Sequence, residues 1–144
     1  MKEENRQYCL NIARELEAIA DGDICKCPHC LENFRLSDAE ETFDEDDEPV
    51  YTCTLCGEKT CENELEKITV YDYFANCYDM EFVVSADKEY KGIRIWVAVG
   101  GPSVWVDTTD KTVKLAWWGE RAECNLYSDA CALIDEYGEV MYAA

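Results

Sequence analysis

Tyr8, Ile12, Leu16 and Ile19 recur at spacings of three and four, which lines one face of a helix with apolar side chains. The spacing predicts a helix over residues 3–20. Asp21-Gly22 closes it, because glycine tolerates the left-handed backbone that follows a helix. Apolar positions thin out over 23–62 and return from 63 onward. Thr69-x-x-Asp72 is similar to a capping box with Asp in place of Glu, and it precedes a helical stripe of Val70, Tyr73, Phe74 and Cys77. The period then changes to two. Strand-like runs cover 80–85, 92–99, 103–107 and 112–118, parted by the turn chemistry of Gly100-Gly101-Pro102 and Thr109-Asp110-Lys111. Ser128 is placed to cap a last helix that buries Leu133, Ile134, Tyr137 and Met141, with Gly138 as its weak point.

These elements predict an α+β chain in three parts: an N-terminal helix (1–22), a ribbon (23–62) and an α+β domain (63–144) in the order α-β-β-β-β-α. Short links imply a four-stranded antiparallel meander with flanking helices. On a period of two, Ile93, Ile95, Val97 and Val99 share a face, as do Val104 with Val106 and Val113 with Leu115 and Trp117. That face is expected to meet the helices. Trp96, Trp105 and Trp118 are expected to gather on the opposite face. Either a second layer covers them there or they form an aromatic contact patch.

Charge changes the picture of what the chain touches. Thirty-two acids against 13 bases leave a net charge of −19, which repels nucleic acid and anionic lipid. No direct nucleic-acid partner and no membrane association are expected. The N-terminal segment lacks the apolar stretch of a secretory signal. A hydrophobic fraction of 48% nonetheless supports a packed core.

The ribbon segment explains the cysteines. Of ten, Cys27 and Cys30 form one CxxC pair and Cys53 and Cys56, followed by Gly57, form another. Each pair sets two sulfurs at a tight turn, the geometry by which four thiolates hold a tetrahedral Zn²⁺. A segment this short and polar needs such an ion to fold. Disulfides are the competing use of ten cysteines, but paired CxxC motifs without a signal favour a reducing, cytoplasmic compartment. Cys25, His29 and Cys61 are spare ligands, with His29 expected to point away. With four sulfurs bound the ion has no open position, so the expected role is structural.

Catalytic machinery is scarce. His29 is the lone histidine, which removes Ser-His-Asp, Cys-His and HExxH chemistry. A Mg²⁺ site built from carboxylates remains open, since acids are everywhere. Residues 38–48 hold eight acids in eleven positions. Like-charge repulsion predicts an open, solvated loop there. A second reading makes Asp44, Glu45, Asp46, Asp47 and Glu48 a contact surface that imitates the phosphates of nucleic acid.

Two segments carry a resemblance: Gly100-Gly101-Pro102-Ser103-Val104-Trp105-Val106-Asp107-Thr108, and Trp117-Trp118-Gly119-Glu120-Arg121-Ala122-Glu123. They resemble small, acidic, functionally uncharacterised proteins of bacteriophage and mobile-element genomes, some of which carry a zinc ribbon. The resemblance spans about residues 69–137. It implies no activity and no catalytic residues, but it does imply a setting in the cytoplasm of a bacterial host. Small acidic proteins in that setting include anti-restriction and anti-CRISPR inhibitors, which are similar in charge and size. The expectation is therefore a non-enzymatic inhibitor that blocks the basic channel of a host defence nuclease. Its acidic run would supply charge, and Trp96, Trp105 and Trp118 would serve as anchors. The alternative is a zinc-ribbon adaptor binding transcription or replication machinery.

Overall fold

The computed structural model describes residues 2–144, apart from the side chains of Lys2 and Ser128. The chain divides into two compact units. One joins the N-terminal helix to Val70–Ala144, and the other is Asp21–Thr69. The N-terminal helix is thus not a part by itself, as its apolar stripe already implies: a lone amphipathic helix must bury that stripe against something.

In the first unit, α1 (Lys2–Ala20), α2 (Val70–Tyr73) and α3 (Ser128–Ala143) accompany five strands. These are β7 (Asp79–Val84), β8 (Tyr90–Ala98), β9 (Ser103–Asp107), β10 (Thr112–Trp117) and β11 (Glu120–Asn125), paired in sequence order as an antiparallel meander. The sheet therefore has one strand more than the four expected. Trp118 and Gly119 are both at positive φ, 52° and 78°, the signature of a tight two-residue hairpin. That turn sends the polar run 120–125 back along β10. Charged residues fall on both faces of this edge strand, Glu120 on one and Arg121 and Glu123 on the other, and so conceal its period of two.

The β-branched face is the core. Ile93, Ile95, Val104, Val106, Val113 and Leu115 are buried, with Cys9, Ala13 and Leu16 of α1 and Ala130, Ile134 and Tyr137 of α3. Three details differ from expectation. The buried stripe of α1 keeps Leu16 and Ile19 but runs through Cys9 and Ala13 in its first half, leaving Tyr8 exposed and Ile12 half-buried, and Asn5 lies within it, its amide donating to Glu120 at 3.1 Å. In α3, Leu133 and Met141 are exposed, while Cys131 and Gly138 are buried. Gly138 is there because a Cβ would strike the Tyr90 hydroxyl and Ile93, so the glycine lets α3 approach the sheet. A register shift between Trp96 and Ala98 breaks the alternation, and Val99 ends exposed. α3 begins at Ser128 after Tyr127; the expected cap rests on the Ser128 side chain, which lies outside the described residues.

The second unit is two three-stranded sheets, β2-β1-β6 and β3-β4-β5. Its strands are β1 (Ile24–Lys26), β2 (Asn33–Arg35), β3 (Glu40–Phe43), β4 (Pro49–Thr52), β5 (Lys59–Cys61) and β6 (Glu66–Lys67). Single 3-10 turns occupy Leu36–Asp38 and Glu62–Glu64. The order strand, knuckle, strand, 3-10 turn, strand occurs twice, displaced by 26 residues. Backbone bonds repeat with it. Cys27 N–H donates to Glu32 C=O and Cys53 N–H to Glu58 C=O; Leu31 N–H donates to Cys27 and Gly57 N–H to Cys53. Each half lends its third strand to the other half's hairpin, β3 beside β4 and β6 beside β1. The knuckles are thus the visible part of a complete structural duplication. Among the described residues no helix is long and apolar enough to cross a membrane.

Candidate metal centre

Each knuckle turns its chain so that two thiols face inward. Cys27, Cys30, Cys53 and Cys56 bring their sulfurs within 4.8 Å of one another. Cys27 Sγ lies 3.7 Å from Cys56 Sγ, and Cys30 Sγ 3.8 Å from Cys53 Sγ. Sulfurs about 2.3 Å from a tetrahedral centre stand about 3.8 Å apart, so the cage fits a thiophilic ion. Disulfide bonding does not occur among these cysteines, all of which are free thiols.

The surroundings favour thiolate at Cys53. Leu55 N–H donates to Cys53 Sγ at 3.4 Å. Burial pushes the Cys53 thiol up, but the N–H groups of Cys56 and Leu55 and the neighbouring sulfurs hold it at about 7. The Glu58 N–H favours the Cys56 thiolate, yet burial and the other three sulfurs outweigh it and raise that thiol to about 12. Four sulfurs this close cannot all ionise alone. A cation removes the conflict and releases the remaining protons.

The other candidates stand apart. Cys25 is buried in the unit's small core with Phe34 and Tyr51. It occupies on β1 the position that Tyr51 occupies on β4, and burial raises its thiol above the usual value. His29 is exposed at the first knuckle. Cys61 is half-buried on β5 opposite Val50, and burial, then Asp44, Glu64 and Glu48, raise its thiol. Spacing alone leaves these three open as ligands; the three-dimensional cage does not include them.

The acidic run is folded, not open. Residues 40–43 and 49–52 pair as β3 and β4, and Asp44 Oδ1 accepts N–H bonds from Asp46 and Glu48, both at 2.9 Å. Asp47 takes a positive φ of 59°, which suits a tight turn. An aspartate that satisfies its own turn overcomes the expected repulsion, and Asp44, Glu45, Asp46, Asp47 and Glu48 all remain exposed.

The tryptophans divide. Trp96 and Trp105 are direct cross-strand neighbours with rings stacked at 5.6 Å and 19°. Trp118 sits at the hairpin tip, 84% exposed, because Gly119 turns the chain there. The expected trio is a stacked pair plus a separate tip. Beside the pair, Asp107 is almost wholly buried, held by the Thr109 hydroxyl at 2.6 Å and the Arg94 guanidinium at 3.2 Å. Lys114 bridges Asp107 at 3.6 Å and also pairs with Asp110. Comparison of the chain with family models, with curated proteins and with solved structures found no match.

Proposed function

We propose that this chain is a non-enzymatic binding protein, stabilised by a structural Zn²⁺ and built to contact a basic protein. The observation that carries the reading is the acidic hairpin. Five carboxylates stand exposed on a turn locked by Asp44. A preorganised turn meets a cationic partner at less entropic cost than a mobile loop. The Cys27, Cys30, Cys53, Cys56 cage supports the structural role of the ion, because a tetrathiolate site has no coordination position left for substrate. Zinc and iron both suit four sulfurs. Copurified metal measured by elemental analysis is expected to be one zinc per chain; iron would appear instead as visible absorption.

The partner in this reading is a nucleic-acid-binding protein of a bacterial host, such as a defence nuclease, whose basic channel the hairpin occupies. The setting comes from the phage-protein resemblance, and the charge of −19 supplies the complementarity. Exposed pairs contribute about 0.2–1 kcal/mol each. Neutralising Glu45, Asp46, Asp47 and Glu48 while keeping Asp44 is expected to weaken capture of that partner from host lysate on the order of tenfold or more, mostly through slower association. Retention of the same proteins by the neutralised variant at equal salt would reject the acidic-hairpin mechanism.

A further inference from the structure

The two edges of the five-stranded sheet differ. β11 carries Glu120, Arg121 and Glu123 and packs against α1. β7 has six residues, no proline and no basic side chain. Among the described residues no strand pairs with its outer side. Such an edge offers a row of backbone N–H and C=O groups to an incoming strand.

The side chains state which strand fits. Met80, Phe82 and Val84 point to the helix side by alternation, and Phe82 and Val84 are 36% and 42% exposed. The Phe82 ring lies 5.4 Å from that of Tyr142 on α3, which in turn lies 6.0 Å from Tyr90. An apolar shelf therefore runs along the edge on that side. Asp79 and Glu81 occupy the other side and are exposed. The register shift between Val83 and Val84 ends the straight stretch.

We propose that β7 is a docking edge for an extended segment of a basic protein partner, in which apolar residues alternate with lysine or arginine. Backbone bonds add the segment as a sixth strand. Its apolar side chains cover Phe82 and Tyr142, and its cations face Asp79 and Glu81. A second copy of this chain fits poorly, because Asp79 and Glu81 would meet their own like charges and each copy carries −19. The proposal rests on the reading of a basic partner but uses a different surface from the acidic hairpin.

The test is hydrogen exchange on the full metal-loaded chain with a blocked Lys-Val-Lys-Val-Lys-Val peptide, against the isomer Lys-Lys-Lys-Val-Val-Val of identical charge. The alternating peptide is expected to slow exchange of backbone amides within 79–84 at least tenfold, and to bind at least tenfold more tightly than its isomer. Glu81→Lys should weaken it about tenfold, while neutralising Glu45, Asp46, Asp47 and Glu48 should leave protection at 79–84 in place. That last pair of variants separates this edge from the hairpin. Equal binding of the two isomers, protection confined to residues outside 79–84, or a dimer that protects β7 without peptide would each overturn the proposal.

Discussion

The two units are held together by different physics. In the first, buried side chains from two long helices and three strands form one apolar core. In the second, the buried cluster is Cys25, Cys27, Phe34, Tyr51 and Cys53, and two of those five belong to the four-cysteine cage. Burial at about 25 cal/mol per Å² suffices for the first. The second spreads its small buried cluster over 49 residues, Asp21–Thr69, a size at which a metal or a disulfide commonly supplements the core. In the reading proposed above, metal ligation by the cage supplies the rest. Composition averaged over the whole chain hides this, because the first unit's hydrophobicity masks the second unit's poverty.

The largest test of that contrast removes a ligand. Cys53→Ser takes away one of four sulfurs from a site whose binding is itself folding energy, on the order of 10 kcal/mol or more for structural zinc. Zinc content should fall to near zero and Asp21–Thr69 should lose amide protection, with the five-stranded sheet intact. Unchanged metal by elemental analysis would break the comparison. The counterpart in the other unit is Leu115→Ala. Leu115 is 1% exposed, so its truncation should cost about 2–5 kcal/mol. Urea unfolding followed on the tryptophans reads that loss, and zinc content should not change.

Acid probes the first unit through Asp107. Burial pushes the Asp107 carboxyl up, but the Thr109 hydroxyl and N–H, Arg94 and Lys114 outweigh it and hold it below the usual carboxylate range. A folded-state value below the unfolded one stabilises the protein above the unfolded pKa, about 3.9. That contribution is lost as pH falls through the folded value. Asp107→Asn should therefore lower stability at neutral pH by about 1–3 kcal/mol and flatten its fall in acid, measured as unfolding midpoints against pH. The smallest effect compares the two knuckles. Leu31 holds a φ of 64° where the equivalent position is Gly57 at 79°, and Leu31 is 65% exposed. Leu31→Gly should stabilise the metal-bound ribbon by about 1 kcal/mol, read as slower zinc transfer to a chelator. A faster transfer would mean that the leucine is held by contacts its exposure does not reveal.

How far the sequence discloses this arrangement depends on which physics acts. The Cys27, Cys30, Cys53, Cys56 set is legible because ligand chemistry demands fixed spacing. The β-branched face is legible because burial imposes a period of two. β11 is not, since an edge strand with Glu120, Arg121 and Glu123 has little apolar pattern to show. Nor is the duplication. Besides the cysteines, positions 26 apart match at Glu32 with Glu58 and Glu40 with Glu66, while Phe34 answers to Thr60 and Cys25 to Tyr51. Backbone bonding and the paired cysteines preserve the half-unit while its other side chains differ. The hairpin at 44–48 was hidden by its charge, because repulsion is read from composition but the Asp44 turn lock is a matter of geometry.

The most direct measurement is hydrogen exchange across the whole chain during titration with a zinc chelator. The account predicts that amides of Asp21–Thr69 lose protection in step with metal release, while those of α1, α3 and the five-stranded sheet keep theirs. Protection retained in Asp21–Thr69 after the metal has left, or lost from the sheet at the same chelator concentration, would contradict it.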